Sequence, residues 1–336
     1  MGGKLLQSVW NLPEKRLSND EYLSFKSAVS DKLSKIFPKS VRIDSAPAIR
    51  SKESHGDLDI ICGVDHYFNS KQLIEDAFGV KVHANSNVLS FPVDGFQVDI
   101  TFVPIDEFQS SIDYTSWGDA SNLVGRIAHK FGLHHGHVGL SFWIRQGLFD
   151  KSLMFLDNDH VMEKLILTRD FSIILPLLGF DYDRWKQGFD TNEEVYHWVA
   201  SSKYFNAEIF DYESLNHINR VRNKKRAMYA GFIEWLEQNS WKYNRYVFQR
   251  REYYLPMWAM QFPNLKPSIE HHKLEYEQNK KFKSKLNGEL VMELLGISNG
   301  KEVGHVISEM KRMFSKEKYI SMPQELINKL ILSFKQ

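Results

Sequence analysis

The chain has 336 residues, with 43 Lys plus Arg against 42 Asp plus Glu and a formal charge of +1. About 150 residues per domain gives two domains. The 43% hydrophobic and 25% charged content excludes disorder as the dominant state, and the charge balance excludes a histone-like polycation while leaving local basic faces open. No run of about 18 apolar residues is present for a membrane span. The single cysteine, Cys62, excludes a disulfide framework and a cysteine-based zinc site. With no apolar signal core near the start, a cytoplasmic, reducing compartment is expected.

Taken in chain order, residues 18–37 predict a helix, opened by the capping-box pair Ser18 and Glu21 and closed before Pro38. A short strand is expected at 41–43, then a polar loop that feeds the β-rich run 57–62. A short amphipathic helix over 70–78 and strands over 80–83, 88–92 and 96–103 follow, with Asp94-Gly95 in the last turn. Residues 120–131 predict a helix with Gly132 as its C-terminal cap. Beyond about residue 150 helical periodicity dominates, over 161–178, 191–205, 216–236, 286–295, 303–314 and 323–334. The expected fold class is therefore α+β: a domain of residues 1–150 with a mixed sheet, then a mostly helical region, 151–336.

The chemistry-bearing pattern is Gly56-Asp57-Leu58-Asp59-Ile60, matched by Val98-Asp99-Ile100 some 40 residues later. Residues two apart on a strand share a face, so Asp57 and Asp59 project together, and a neighbouring strand would add Asp99. Three clustered carboxylates repel one another unless a cation lies among them. Hard oxygen ligands suit Mg2+, with Mn2+ as the alternative, and two such ions stabilise the attacking and leaving oxygens of a phosphoryl displacement. The chemistry read from this set is attack of a hydroxyl on the α-phosphate of a nucleoside triphosphate.

These residues resemble a known family. Residues 46–103 are similar to the polymerase beta-like palm of the nucleotidyltransferase superfamily, specifically DNA polymerase family X. Arg50-Ser51-Lys52-Glu53-Ser54-His55-Gly56-Asp57-Leu58-Asp59 resembles its R-G-x-E-S-x-G-D-h-D motif, and residues 96–104 resemble its third-carboxylate strand. Tyr114-Thr115-Ser116-Trp117-Gly118-Asp119-Ala120-Ser121-Asn122, with Arg126, resembles its nucleotide segment. The resemblance implies that Asp57 and Asp59 hold both metals, and that Asp99 holds the catalytic one and takes the 3′-hydroxyl proton. It also implies a nucleotide site of Arg50, Ser51, Ser54, His55, Gly56, Tyr114, Ser116, Gly118, Asp119, Asn122 and Arg126. Two departures stand out: Ala46-Pro47 replaces the family's Gly-Ser, and Ser116-Trp117-Gly118 replaces its Thr-Gly-Ser turn.

Residues 286–314 resemble the helical tail of tRNA nucleotidyltransferases (CCA-adding enzymes) through Gly288, Leu290, Gly296, Gly300 and Gly304, with Glu289 in place of Asp. Three basic stretches suit a polynucleotide: Arg220, Arg222, Lys224, Lys225 and Arg226; Lys280, Lys281, Lys283 and Lys285; and Arg245, Arg250 and Arg251 among tyrosines and Phe248. His129, His134, His135 and His137 lack the ligand spacing of a zinc site. The expected activity is nucleotide transfer from an NTP to a nucleic-acid 3′-hydroxyl, RNA or tRNA first, with pyrophosphate released and no membrane partner. The alternatives are a family X-type DNA polymerase, transfer to a small molecule or protein, and an inactive binding module.

Overall fold

The computed structural model describes residues 4–66, 68–153, 159–298 and 300–335. The protein is mixed α+β, with a mixed sheet and a helical C-terminal region. It divides into two compact units, Met1–Phe142 with Ile166–Pro256, and Trp143–Leu165 with Met257–Gln336. The expected cut at 150 thus falls inside the second unit, and the helices just beyond it belong to the first. Among the described residues no helix is long and apolar enough to cross a membrane.

In chain order the elements are α1 (Lys4–Trp10), β1 (Leu17–Ser18), α2 (Asn19–Ile36), β2 (Arg42–Asp44), β3 (Ser54–His55), β4 (Asp57–Val64), α3 (Ser70–Phe78), β5 (His83–Asn85), β6 (Val88–Val93), β7 (Phe96–Pro104), α4 (Phe108–Thr115), α5 (Ala120–Lys130), β8 (Leu133–Gly136), β9 (Gly139–Arg145) and β10 (Val161–Thr168). Helices α6 (Phe171–Leu177), α7 (Tyr182–Gln187), α8 (Asn192–Ala200), α9 (His217–Lys224), α10 (Ala227–Asn239), α11 (Arg251–Gln261), α12 (Leu265–Lys285), α13 (Gly288–Leu295), α14 (Lys301–Met313), α15 (Lys316–Ser321) and α16 (Gln324–Leu332) complete the chain.

The main sheet has strand order β2-β4-β7-β6-β5, and β4 and β7 are its parallel pair. One face packs on α2: Leu58, Ile60, Cys62, Val98 and Ile100 meet Val29, Leu33 and Phe37 in one core cluster. Burying each such aliphatic side chain contributes about 1.5–3 kcal/mol. The start of α2 follows the capping-box pattern, since Glu21 accepts both the backbone N–H of Ser18 (2.8 Å) and its hydroxyl (2.7 Å).

On the opposite face, α4 covers only the far end of the sheet, where Ile61 and Val103 pack against Phe108 and Ile112. Gly63 permits that approach: a Cβ there would lie 2.9 Å from Phe108. The near end of the same face carries the aspartates, so the core itself sets where the sheet is left open.

Four sequence expectations need correction. The strand expected over 80–83 begins only at His83, as β5. Residues 161–168 are strand β10, not the first turns of a helix, and a helix starts only at Phe171, capped by Asp170. The helix expected over 216–236 breaks at Lys225 and Arg226 into α9 and α10. Helix α12 was not anticipated because its surface is mostly polar; of its residues only Leu265 and Phe282 are buried.

The second unit holds its own core, in which Phe282, Val291, Val303, Met310, Tyr319 and Ile327 meet. Its α13 begins at Asn287, whose side chain caps Leu290, and closes on Gly296 in the left-handed conformation. That is the helix, glycine turn and helix read from the sequence.

Candidate active site

Parallel pairing places Asp59 directly opposite Asp99, with Asp57 two residues back on the same face. One carboxylate oxygen from each lies within 4.8 Å of the other two. Asp99 Oδ2 accepts the Gln97 side-chain N–H at 2.7 Å, and Gln97 Oε1 of the same side chain accepts the Leu5 backbone N–H at 3.1 Å. Asp99 Oδ1 is buried and has no hydrogen-bond partner.

An ionised carboxylate with an orphaned oxygen is costly in the absence of a cation. The oxygen-only donor set fits Mg2+ or Mn2+. Loss of water, then the charges of Asp57 and Asp99, push the Asp59 carboxyl up to about 7. Asp57 is raised by burial and then by Asp99. The Asp59 side chain nevertheless remains open to solvent at its rim, as a site for an incoming ligand must.

Several neighbours escaped the sequence reading. Lys52 acts on both Asp57 and Asp59 and lowers their carboxyls; it stands inside the arginine-led motif and could have been found there. Gln97 is two residues before Asp99, the spacing that shares a strand face. Tyr22, read only as helix core, stacks on His55 with ring centroids 3.7 Å apart, and burial followed by Asp59 and Asp57 raises its hydroxyl to about 12. No local pattern marks it, because only the α2–β3 packing brings it there.

The expected nucleotide residues fall into two groups. Arg50, Ser51 and Gly118 are exposed. Arg50 pairs with Asp190 at 2.6 Å and donates to the Gln187 carbonyl, while backbone bonds from Arg50 and Ser51 reach Phe189 (3.1 Å) and Asp190 (2.8 Å). Trp117 adopts φ 60° and its backbone N–H donates to the Pro47 carbonyl at 2.9 Å. Gly188, at φ 81°, lies beneath Trp117, where any Cβ would collide with the ring. The loops at 47–51, 117–118 and 187–190 are therefore stitched together, and the altered turn is filled by a buried indole.

The second group is buried or engaged with other side chains and backbone. Ser54 accepts Arg16 Nε at 3.0 Å. His55 and Gly56 are buried, and burial followed by the charge of Lys52 pushes the His55 imidazole down to about 4. Ser116 is buried and bonds the Ile112 carbonyl at 2.8 Å. Asp119 is paired with Arg226, and Asn122 donates to Asn223 at 3.1 Å. Arg126, expected to contact nucleotide, is buried and gives Nε and Nη2 to the Ile209 carbonyl at 3.2 and 2.9 Å.

Tyr114 on α4 is half-buried; burial raises its hydroxyl, and Arg222 and Arg226 oppose that rise. Residues 119–122 are thus joined to the α9–α10 junction. Within the basic run Arg220 pairs with Glu213 and Lys224 lies over Tyr212, whereas Arg222 and Lys225 are exposed. In the second unit Lys280 pairs with Asp150, Lys285 bonds the Met322 carbonyl, and Lys281 and Lys283 are exposed. In the aromatic stretch Tyr246, Phe248 and Tyr254 pack on Phe131, whereas Tyr253 is exposed.

Among the described residues, His129 and His134 meet edge to face, while Tyr114 packs on His135 and His137. None of the four histidines belongs to a potential metal-ligand group. No family model matches the chain, and no curated protein matches it.

Proposed function

We propose that the chain is a metal-dependent nucleotidyltransferase that moves a nucleotide from a nucleoside triphosphate to the 3′-hydroxyl of a nucleic acid, with an RNA end such as that of tRNA as acceptor. One observation carries this reading: three carboxylates on two parallel strands gather at the open end of the sheet, and Asp99 Oδ1 among them has no partner. Asp57, Asp59 and Asp99 would hold Mg2+ or Mn2+, which when bound offsets the charge of the triphosphate and polarises the reacting oxygens.

Gln97 fixes the Asp99 carboxylate through Oδ2 and leaves Oδ1 to take the proton of the acceptor hydroxyl. The hydroxyl oxygen bonds the α-phosphorus as the bond from that phosphorus to the bridging oxygen breaks, and pyrophosphate leaves. Lys52 and Arg50 supply positive charge for the triphosphate. The Arg50–Asp190 pair is exposed, and such pairs contribute about 0–1 kcal/mol, so it yields readily to a polyanion.

The test is extension of a tRNA lacking its 3′ terminus, run beside a DNA primer–template, with Mg2+ and each triphosphate in turn. RNA extension that is abolished in a folded Asp59→Asn variant supports the proposal. Extension of DNA alone moves the acceptor to DNA. Undiminished extension by Asp59→Asn overturns the metal assignment, and label found only on a small molecule overturns the polynucleotide acceptor.

A further inference from the structure

We infer that the second unit carries its own transition-metal site on α12, built from His271, His272 and Glu275 with Glu163 of β10 behind it. One ligand atom from each of the first three lies within 4.8 Å of the other two. The spacing on a helix explains this. Glu275 is four residues from His271 and three from His272, so its carboxylate reaches the face that both rings border.

His272 Nδ1 stands 3.1 Å from Glu275 Oε2. Two ligands held about 2.0–2.1 Å from a tetrahedral zinc ion are separated by about 3.3 Å, so the pair is already near ligand spacing. Two imidazoles and one carboxylate form a borderline nitrogen–oxygen set, which suits Zn2+, Co2+ or Ni2+ over Mg2+. His271 is exposed and the Glu275 side chain is 45% accessible, so an ion can enter and keep water as a further ligand.

The surroundings of His272 distinguish this cluster from a chance surface grouping. Its side chain is only 14% exposed, and its other nitrogen, Nε2, lies 3.0 Å from Glu163 Oε2. The Ser268 hydroxyl donates to that same carboxylate oxygen. A metal-bound histidine ordinarily gives its remaining N–H to a carboxylate that is itself hydrogen-bonded, which fixes the ring and raises its basicity. Glu163 and Ser268 provide that support, and all five residues belong to one compact unit. Bound there, the ion would tie α12 to β10 and add its binding free energy to the stability of the unit.

The test is a Co2+ titration of the full chain in excess Mg2+, which saturates the aspartate triad, followed by visible absorption. The expected result is d–d bands of a four- or five-coordinate ion, bleached when Zn2+ is added. His271→Ala and Glu275→Gln should each weaken Co2+ binding at least tenfold, and Glu163→Gln by about tenfold. Asp99→Asn should leave the bands unchanged. Far-UV circular dichroism of the exposed-site variant His271→Ala separates ligand loss from misfolding. Absence of bands in the wild-type chain, bands that survive the His271→Ala/Glu275→Gln double variant, or bands lost in Asp99→Asn would each overturn the site and leave an ion-paired histidine only.

Discussion

The aspartate triad of β4 and β7 and the histidine–glutamate cluster of α12 both bring carboxylates close together, and they manage the charge in opposite ways. In the second unit His272 stands between Glu163 and Glu275, and Ser268 shares the load. In the first, Asp57, Asp59 and Asp99 make no ion pair among the described residues, and one oxygen of Asp99 has no partner at all. A carboxylate group that carries its own base holds together without help. One that lacks it leaves its repulsion for a cation to offset.

The largest effect expected from breaking this contrast is on activity. Asp59→Asn removes an oxygen ligand and a charge, and nucleotide transfer should fall by at least about 10²–10³-fold, the loss typical of removing one transition-state-stabilising group. Stability should move the other way. In a chelator the variant should be more stable than the wild-type chain by about 1 kcal/mol, the repulsion of two unit charges about 4 Å apart in water. Adding Mg2+ should erase that advantage. Urea midpoints with and without the ion measure it, and equal midpoints in chelator would mean that the aspartates do not repel one another.

Gly63→Ala tests whether the open end of the sheet depends on α4. The added Cβ meets Phe108 at 2.9 Å, and overpacking of this kind costs about 1–3 kcal/mol. Because α4 also carries Tyr114, transfer activity should fall along with the melting temperature. A variant of unchanged stability would show that α4 accommodates the methyl group.

His272→Leu asks whether the second cluster is self-compensated. Removing the base leaves two partly exposed carboxylates without their imidazole, and pairs open to solvent in this way contribute about 0–1 kcal/mol. The loss should be read as a lower urea midpoint in chelator. A midpoint equal to that of the wild-type chain would show that Glu163 and Glu275 do not need the imidazole.

The two regions differed in how far they could be read from sequence. The triad was legible because strand periodicity forces Asp57 and Asp59 onto one face, and an apolar-flanked aspartate announces a second strand. Lys52 and Gln97 lay within reach of the same logic. Tyr22 did not, since its approach to His55 arises from packing between α2 and β3. The α12 cluster was hidden for a similar reason: Glu163 lies more than 100 residues from His272, and residues 161–168 carry aliphatic spacing that a helix would also satisfy. Asp119, Asn122 and Arg126 were read from one segment, but their partners Arg226, Asn223 and Ile209 come from beyond residue 200, where no local pattern points to them.

The pH dependence of stability sharpens the comparison from another side. His135 in the first unit has both ring nitrogens buried without partners, with Tyr114 and Phe171 packed on its ring, and burial pushes it down from 6.5 to about 3. It is therefore neutral when folded and takes a proton near 6.5 when unfolded. Its contribution is complete above pH 6.5 and is lost as pH falls toward 3, by at most about 1.4 kcal/mol per pH unit. His135→Phe keeps the ring contacts and removes the titration, so its urea midpoint should fall less between pH 7 and pH 5 than that of the wild-type chain. Equal slopes would show that the ring is hydrated in solution.

The smallest effect concerns the basic run. Arg222 and Lys225 are exposed, while Arg220, Lys224 and Arg226 are engaged with Glu213, Tyr212 and Asp119. Within this run the first two are the ones open to a phosphate backbone, so the double variant Arg222→Glu/Lys225→Glu should weaken polynucleotide binding. It should also flatten the plot of log affinity against log salt by about 0.7 for each single-strand phosphate that the variant no longer neutralises. The fold should tolerate the change, since neither side chain is buried. An unaltered slope would mean that the acceptor strand does not cross α9, and the exposed Lys281 and Lys283 of α12 are the next basic pair to test. Charge reversal at those two lysines, compared with the α9 variant in the same assay, decides which unit holds the strand.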